Sequence, residues 1–196
     1  ILLSGGPASV YEENAPEFDI EIFNLGIPIF GICYGFQVMA NSLGGIVTKT
    51  GKSEFGRTAL KATDSKIFKD LPLEQLVWMS HGDAVTEAPN GFSICAATAD
   101  TPVAAFENGD GKLAGVQFHP EVLHSQYGQQ MLHNWLINVA ECNPNWTTKN
   151  IAESEIAKAR EVIGSKRVIC GLSGGVDSAV AAAIIQRAVG RQLTCV

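Results

Sequence analysis

The apolar residues of this chain fall mostly into short runs, with longer helical stretches between them. Ile1-Leu2-Leu3 reads as a buried strand that runs into the tight turn Ser4-Gly5-Gly6-Pro7. Glu17 to Leu25 carries helical spacing and stops at Gly26. Ile27-Pro28-Ile29-Phe30-Gly31-Ile32 is almost wholly apolar, the mark of a buried parallel strand, with Pro28 at its start. Tyr34 to Leu43 is helical again and closes at Gly44-Gly45. Strand, turn and helix, twice over, predict a parallel sheet covered by helices.

The middle changes character. Arg57 to Thr63, Gln75 to Met79, Phe92 to Ala97, Val103 to Glu107 and Leu113 to Phe118 are short strand candidates. Asn108-Gly109-Asp110-Gly111 joins the last two as a hairpin signal. Gln126 to Ala140 is a helix with Met131, Leu132, Trp135, Leu136 and Val139 on its apolar face. The polar, Pro-containing stretch from Cys142 to Thr148 then breaks the pattern, and β-α logic restarts. A helix from about Ile151 to Ile163 ends at Gly164. Arg167 to Leu172 make a strand, Asp177 to Val189 a helix, and Leu193 to Val196 a strand just begun. The predicted organisation is a domain over 1–142, a linker over 143–150 and the start of a second domain over 151–196. Opening on a strand without Met and closing on another, the sequence reads as part of a longer protein.

Composition narrows the classes. Of 196 residues, 46% are hydrophobic and 17% charged, enough apolar material for a packed core. A net charge of -6 gives no basic footprint for nucleic acid or an anionic membrane. No apolar run approaches the roughly 20 residues that span a bilayer. The five cysteines are widely spaced with no CxxC pair, which favours a reducing cytoplasm over a disulfide framework or a zinc site.

Of these cysteines, Cys33 has a distinctive setting. In Gly31-Ile32-Cys33-Tyr34-Gly35-Phe36-Gln37 a strand ends and a helix begins at once, with a glycine two residues to either side. A side chain exposed at such an elbow needs neighbours without Cβ bulk. The helix N-terminus supplies N–H groups and a positive dipole end that favour a thiolate. A buried structural cysteine is the ordinary alternative for a lone Cys, and the paired glycines argue against it. A nucleophilic cysteine requires a base, and the base an orienting group. Among four histidines, His119 in Gln117-Phe118-His119-Pro120-Glu121 lies just past a strand, with Glu121 placed to take its second N–H.

These two motifs together resemble the class I glutamine amidotransferases, over roughly Ile1 to Cys142. The resemblance implies an open α/β sheet covered by helices and a Cys33-His119-Glu121 triad that hydrolyses glutamine to glutamate and ammonia. It also implies an oxyanion hole from the backbone N–H groups of Gly6 and Tyr34, each donor worth about 3 kcal/mol in the barrier. Gln37, one turn beyond Cys33, is expected to contact bound glutamine. Ser80, His81 and Gly82 of Ser80-His81-Gly82-Asp83 resemble a loop that closes over the substrate.

A second site lies in Ser173-Gly174-Gly175-Val176-Asp177-Ser178, between a strand and a helix. Such a turn makes a cradle of backbone N–H groups for an anion. It lacks the lysine of a Walker A loop. With Ala179, it resembles the loop of the ATP pyrophosphatases, in the first β-α unit of an adenine nucleotide α-hydrolase-like (PP-loop) fold. That implies ATP, accompanied by Mg²⁺, with the metal ligands undefined. Both motifs on one chain, in this order, resemble the glutamine-hydrolysing GMP synthetase family. Trp78-Met79 ahead of Ser80 strengthens the likeness. The implied reaction adenylylates XMP and replaces AMP with glutamine-derived ammonia, in the cytoplasm. The implied assembly is a homodimer with no nucleic-acid or membrane partner. In that family the XMP pocket and dimer contacts lie beyond the part represented here. The alternatives are another class I glutaminase subunit, a γ-glutamyl hydrolase or peptidase with the same triad, and a silent regulatory module.

Overall fold

The computed structural model describes every residue, Ile1–Val196. The chain divides into two compact units, Ile1–Cys142 and Asn143–Val196. The first is a mixed α/β unit. Its strands are β1 (Leu2–Leu3), β2 (Ile29–Ile32), β3 (Ile46–Ala62), β4 (Glu74–Glu87), β5 (Phe92–Ala97), β6 (Ala105–Asn108) and β7 (Leu113–Val116). They form one sheet in the order β1-β2-β7-β6-β5-β3-β4. The expected parallel pairing is found in β1, β2 and β7. From β7 onward the pairs are antiparallel, as the Asn108–Gly111 turn demands.

Every residue of β2 is buried, as its apolar run requires. Its alternate residues serve two cores. Phe30 and Ile32 pack with Met79, Phe118, Met131 and Trp135 on one face. Ile29 joins Phe36, Met39, Val85 and Phe106 on the other. Helix α1 (Tyr34–Ser42) covers the second face and α2 (Gly128–Asn138) the first. Met131 and Trp135 are the buried members of the predicted apolar face of α2, and the indole N–H of Trp135 donates to Gly111 O at 3.0 Å.

In this unit three elements depart most from the sequence reading. Glu17 to Leu25 is not a helix but holds a five-residue 3-10 turn, Ile20–Asn24, capped by Asp19. Only Phe23 in it is buried, and helices that short depend on packing a whole face. β3 begins eleven residues before the expected Arg57, because Gly51 and Gly56, at φ 72° and 96°, interrupt its alternation. β4 runs through Ser80-His81-Gly82-Asp83, which is therefore strand and not loop. Burial alternates from Gln75 to Asp83, with His81 and Asp83 in slots that apolar residues normally take.

The second unit contains α3 (Thr148–Ile163), β8 (Val168–Cys170), α4 (Val176–Val189) and β9 (Leu193–Cys195), with β8 and β9 paired in parallel. Helix α3 starts three residues before the expected Ile151, because the Thr147 hydroxyl accepts from Asn150 N–H at 3.2 Å. It ends at Gly164, φ 54°, as its C-terminal glycine predicts. Arg160 of α3 donates to the carbonyls of Ala188 and Arg187, tying the two helices together at the end of α4.

Candidate functional site

Cys33 occupies the junction of β2 and α1 with φ 52°, a conformation that costs about 1–3 kcal/mol in a non-glycine residue. The surroundings hold it there. Its N–H donates to Val116 O at 2.9 Å, and its carbonyl accepts from Gln37 N–H at 3.0 Å. The flanking glycines are needed for close approach. A Cβ on Gly31 would lie 2.7 Å from Phe36 N, and one on Gly35 2.2 Å from Leu3 O. Instead Gly35 N–H donates to Ser4 O at 3.1 Å, which fixes the turn after β1 beside the elbow.

His119 reaches the same place three residues past β7, the strand that pairs with β2. Its N–H donates to Trp78 O at 2.9 Å, and its carbonyl accepts from the Ser125 hydroxyl at 2.6 Å. The first residue of α2, Gly128, packs so closely on Pro120 that a Cβ would meet the proline carbonyl at 2.0 Å. His119 Nδ1 lies 2.7 Å from Glu121 Oε1, which leaves Nε2 for the cysteine. The neighbouring Cys33 sulfur and the Glu121 carboxylate together hold the ring's pKa up to about 9 against the opposing effect of burial. The structure thus brings Cys33, His119 and Glu121 together at one cleft.

A cleft of about 600 Å³ opens over the sulfur. One wall is the Gly5–Ser9 segment, and another is the Ser80–Asp83 part of β4. A Cβ built on Gly6 would stand 3.4 Å from the Tyr34 ring, so the two residues expected to supply the oxyanion donors are neighbours. Neither N–H is engaged in a backbone turn or loop bond. Gln37 lines the cleft, but its Nε2 donates to Asp83 O at 2.7 Å and to Gln117 Oε1 at 3.2 Å. The Ser80 carbonyl lies 3.6 Å from Cys33 Sγ, and Gly82 lines the wall. The ring of His81 is turned to protein partners, with Nδ1 2.9 Å from Asp83 O and Nε2 3.3 Å from Glu54 Oε2.

Several residues of this cleft escaped the sequence reading. Asp83 accepts from the hydroxyls of Ser9 and Tyr11, pinning the Gly5–Ser9 wall to β4. Asp83 closes the Ser80-His81-Gly82-Asp83 run, and that was its available signal. Gln117 turns its amide to Cys33 Sγ at 4.0 Å. Lys49 and Phe55 line the cleft from β3, and nothing in their local pattern distinguishes them from surface residues.

In the second unit, Ser173 to Ser178 spans the turn from β8 into α4. Gly174 adopts φ 80°, and the Ser173 hydroxyl accepts from Gly175 N–H at 3.3 Å. The Ser178 hydroxyl donates to Gly175 O at 3.0 Å and lies 3.1 Å from that of Ser173. The N–H groups of Val176, Asp177 and Ser178 stand in the first helical turn without an intrahelical acceptor. Ala179 N–H is already used, donating to Gly175 O at 3.2 Å. No three His, Cys, Asp or Glu side chains gather anywhere in the chain as a metal site, and no helix is long and apolar enough to cross a membrane.

The profile of the glutamine amidotransferase class-I family matches residues 1–139. That of the NAD synthase family matches residues 149–195. The glutamine-hydrolysing GMP synthase of Thermobifida fusca is 59% identical over 197 residues, covering 100% of this chain and 37% of its own length. That of Mycobacterium marinum is 58% identical over 196 residues, with coverages of 100% and 37%. The chain therefore spans just over a third of the length of these curated relatives. A solved structure from Thermoplasma acidophilum, provisionally described as that of a GMP synthase subunit, has a TM-score of 0.62 and 31% identity, covering 71% of each chain. A glutamine amidotransferase from Thermotoga maritima has a TM-score of 0.56 over 96% of this chain and 77% of its own. Its identity is 22%, so that likeness concerns the fold.

Proposed function

The chain belongs to the class-I glutamine amidotransferase family, and from that premise we propose that residues 1–142 form a glutaminase domain and residues 151–196, after a linker over 143–150, the opening of an ATP pyrophosphatase domain. The observation that carries the reading is His119, set between the sulfur of Cys33 and the carboxylate of Glu121. Held near pKa 9, the ring keeps its proton at neutral pH and enters the reaction as an acid. The Cys33 thiolate attacks the side-chain amide carbon of glutamine, and the developing oxyanion accepts hydrogen bonds from the N–H groups of Gly6 and Tyr34. His119 gives its proton to the departing ammonia, leaving a thioester on Cys33. It then takes a proton from water as the water oxygen adds to the thioester carbon, and the carbon–sulfur bond breaks to release glutamate and restore the thiolate. Glu121 fixes the ring's orientation throughout. Gln37 and the backbone at Ser80, His81 and Gly82 shape the glutamine pocket.

In the second unit, the loop from Ser173 to Ser178, followed by Ala179, receives the pyrophosphate portion of ATP through its free N–H groups and hydroxyls. Mg²⁺ accompanying ATP would be held by Asp177 together with the nucleotide's own phosphate oxygens. The complete protein uses glutamine, ATP and XMP to make GMP, as a cytoplasmic homodimer with no nucleic-acid or membrane partner. The names of relatives 59% and 58% identical across the whole chain support this assignment. The loop at Ser173 sets it apart from a γ-glutamyl hydrolase or peptidase, whose hydrolysis needs no ATP. The presence of Cys33, His119 and Glu121 at one cleft favours it over a silent module.

The test uses the full-length enzyme. C33A should abolish glutamine-dependent GMP formation, by at least a thousandfold, and leave formation from added ammonia within about threefold. Loss of both activities in a folded variant would refute the division of labour.

A further inference from the structure

Behind the β4 wall of the cleft lies a buried polar cluster that the triad chemistry does not use. The register of β3 and β4 shifts between Lys49 and Glu54, and this sets Glu54 directly opposite His81. Both side chains are almost sealed from solvent, at 7% and 2% exposure. Glu54 accepts from Thr98 Oγ1 at 2.8 Å and from Thr101 Oγ1. Its Oε2 also lies 3.3 Å from His81 Nε2, within ion-pair reach but off line for a hydrogen bond.

The donors and acceptors do not balance if Glu54 is ionised and His81 is neutral. His81 Nδ1 faces the carbonyl oxygen of Asp83 at 2.9 Å, and a carbonyl can only accept. Nδ1 must therefore carry a hydrogen. A neutral ring has just one, so Nε2 would then turn a bare lone pair toward a carboxylate oxygen. The other neutral tautomer moves the same conflict to Asp83 O. A second hydrogen on the pair removes it, as imidazolium with carboxylate or as neutral imidazole with carboxylic acid. The remaining ionisable group near the ring is the Asp83 carboxylate on the same strand, and it is committed to Ser9 and Tyr11.

We propose that Glu54 and His81 hold one shared proton and act as a positioning pair for the glutamine pocket. The route is short. His81 and Gln37 both donate to Asp83 O, which fixes the Ser80–Asp83 wall. Gln37 also donates to Gln117, whose amide faces the Cys33 sulfur at 4.0 Å. Neither Glu54 nor His81 exchanges its proton with substrate. Naming glutamine as the molecule positioned rests on the function proposed above, whereas the proton count does not.

Two measurements on the full-length protein test the pair. At neutral pH, ¹⁵N-histidine NMR should show His81 with Nδ1 protonated and Nε2 either protonated or accepting a strong hydrogen bond. A ring that titrates like a free imidazole, or is protonated only on Nε2, would overturn the proposal whatever the enzyme's activity. In glutaminase assays, E54A should raise KM for glutamine about tenfold, with kcat changed less than about threefold. E54Q, whose amide can donate to Nε2 of a neutral ring, should restore KM to within about twofold of wild type. A wild-type KM in E54A, or E54Q as impaired as E54A, would equally sink it. Should E54A not fold, the NMR on the wild-type protein still decides. A wild-type enzyme without glutaminase activity but with the expected His81 spectrum would count against the proposed function and not against the pair.

Discussion

At the scale of single residues, the charge state of His119 depends on one neighbour more than any other. The Cys33 sulfur is the foremost cause of its elevation to about 9, and Glu121 adds to it. C33A should therefore bring the His119 midpoint down from about 9 toward the usual 6.5, as followed by NMR titration of the ring. An unchanged midpoint would mean that Glu121 alone sets it. The link to stability has a definite sign. A histidine raised in the folded state contributes fully below pH 6.5, and the contribution is lost as pH rises through about 9. Cys33, His119 and Glu121 were legible in the sequence because each sits in a short, local motif. Asp83, Gln117 and Glu54 were not. Their roles come from partners 74, 84 and 47 residues away in the chain, at Ser9, Cys33 and Thr101.

At the scale of elements, the elbow is a packing problem before it is a chemical one. Gly35 lets the first turn of α1 rest on β1, where a methyl group would fall 2.2 Å from Leu3 O. G35A should push the Ser4–Pro7 turn away from Tyr34 and separate the two oxyanion donors. The expected result is a loss of about 1–3 kcal/mol in denaturant unfolding, with kcat for glutamine down about a hundredfold. A fully active G35A would show that the turn moves without consequence. The β2-to-α1 and β8-to-α4 junctions were readable because an apolar run, a glycine turn and a helix follow in order. The β3–β4 hairpin was largely hidden. Its strands carry glycine, lysine and histidine where alternation would have placed valine or isoleucine, since one part of it walls a polar cleft.

At the scale of the molecule, the chain divides into two compact units, and the proposed function assigns one chemistry to each. The chain spans just over a third of relatives named for the whole reaction. Residues 1–196 on their own are therefore expected to release ammonia from glutamine but to form no GMP from XMP and ATP, by product chromatography. GMP in that assay would relocate the acceptor site to these residues. The broad plan was legible here, because a polar stretch with proline separates two restarts of strand and helix. The antiparallel half of the sheet was less so, because strand order depends on pairings between distant segments. The sheet finishes at β4, and the outer rim of β4 is not bare: Trp78 O and Leu76 O accept from His119 and Gln126, and Ser125 and Gln126 take the N–H groups of Trp78 and Leu76. The segment that delivers the imidazole is thus also the selvage of the fabric. Whatever peels it away takes the proposed proton donor from the cleft and, in the same motion, uncovers a ladder onto which another chain can zip.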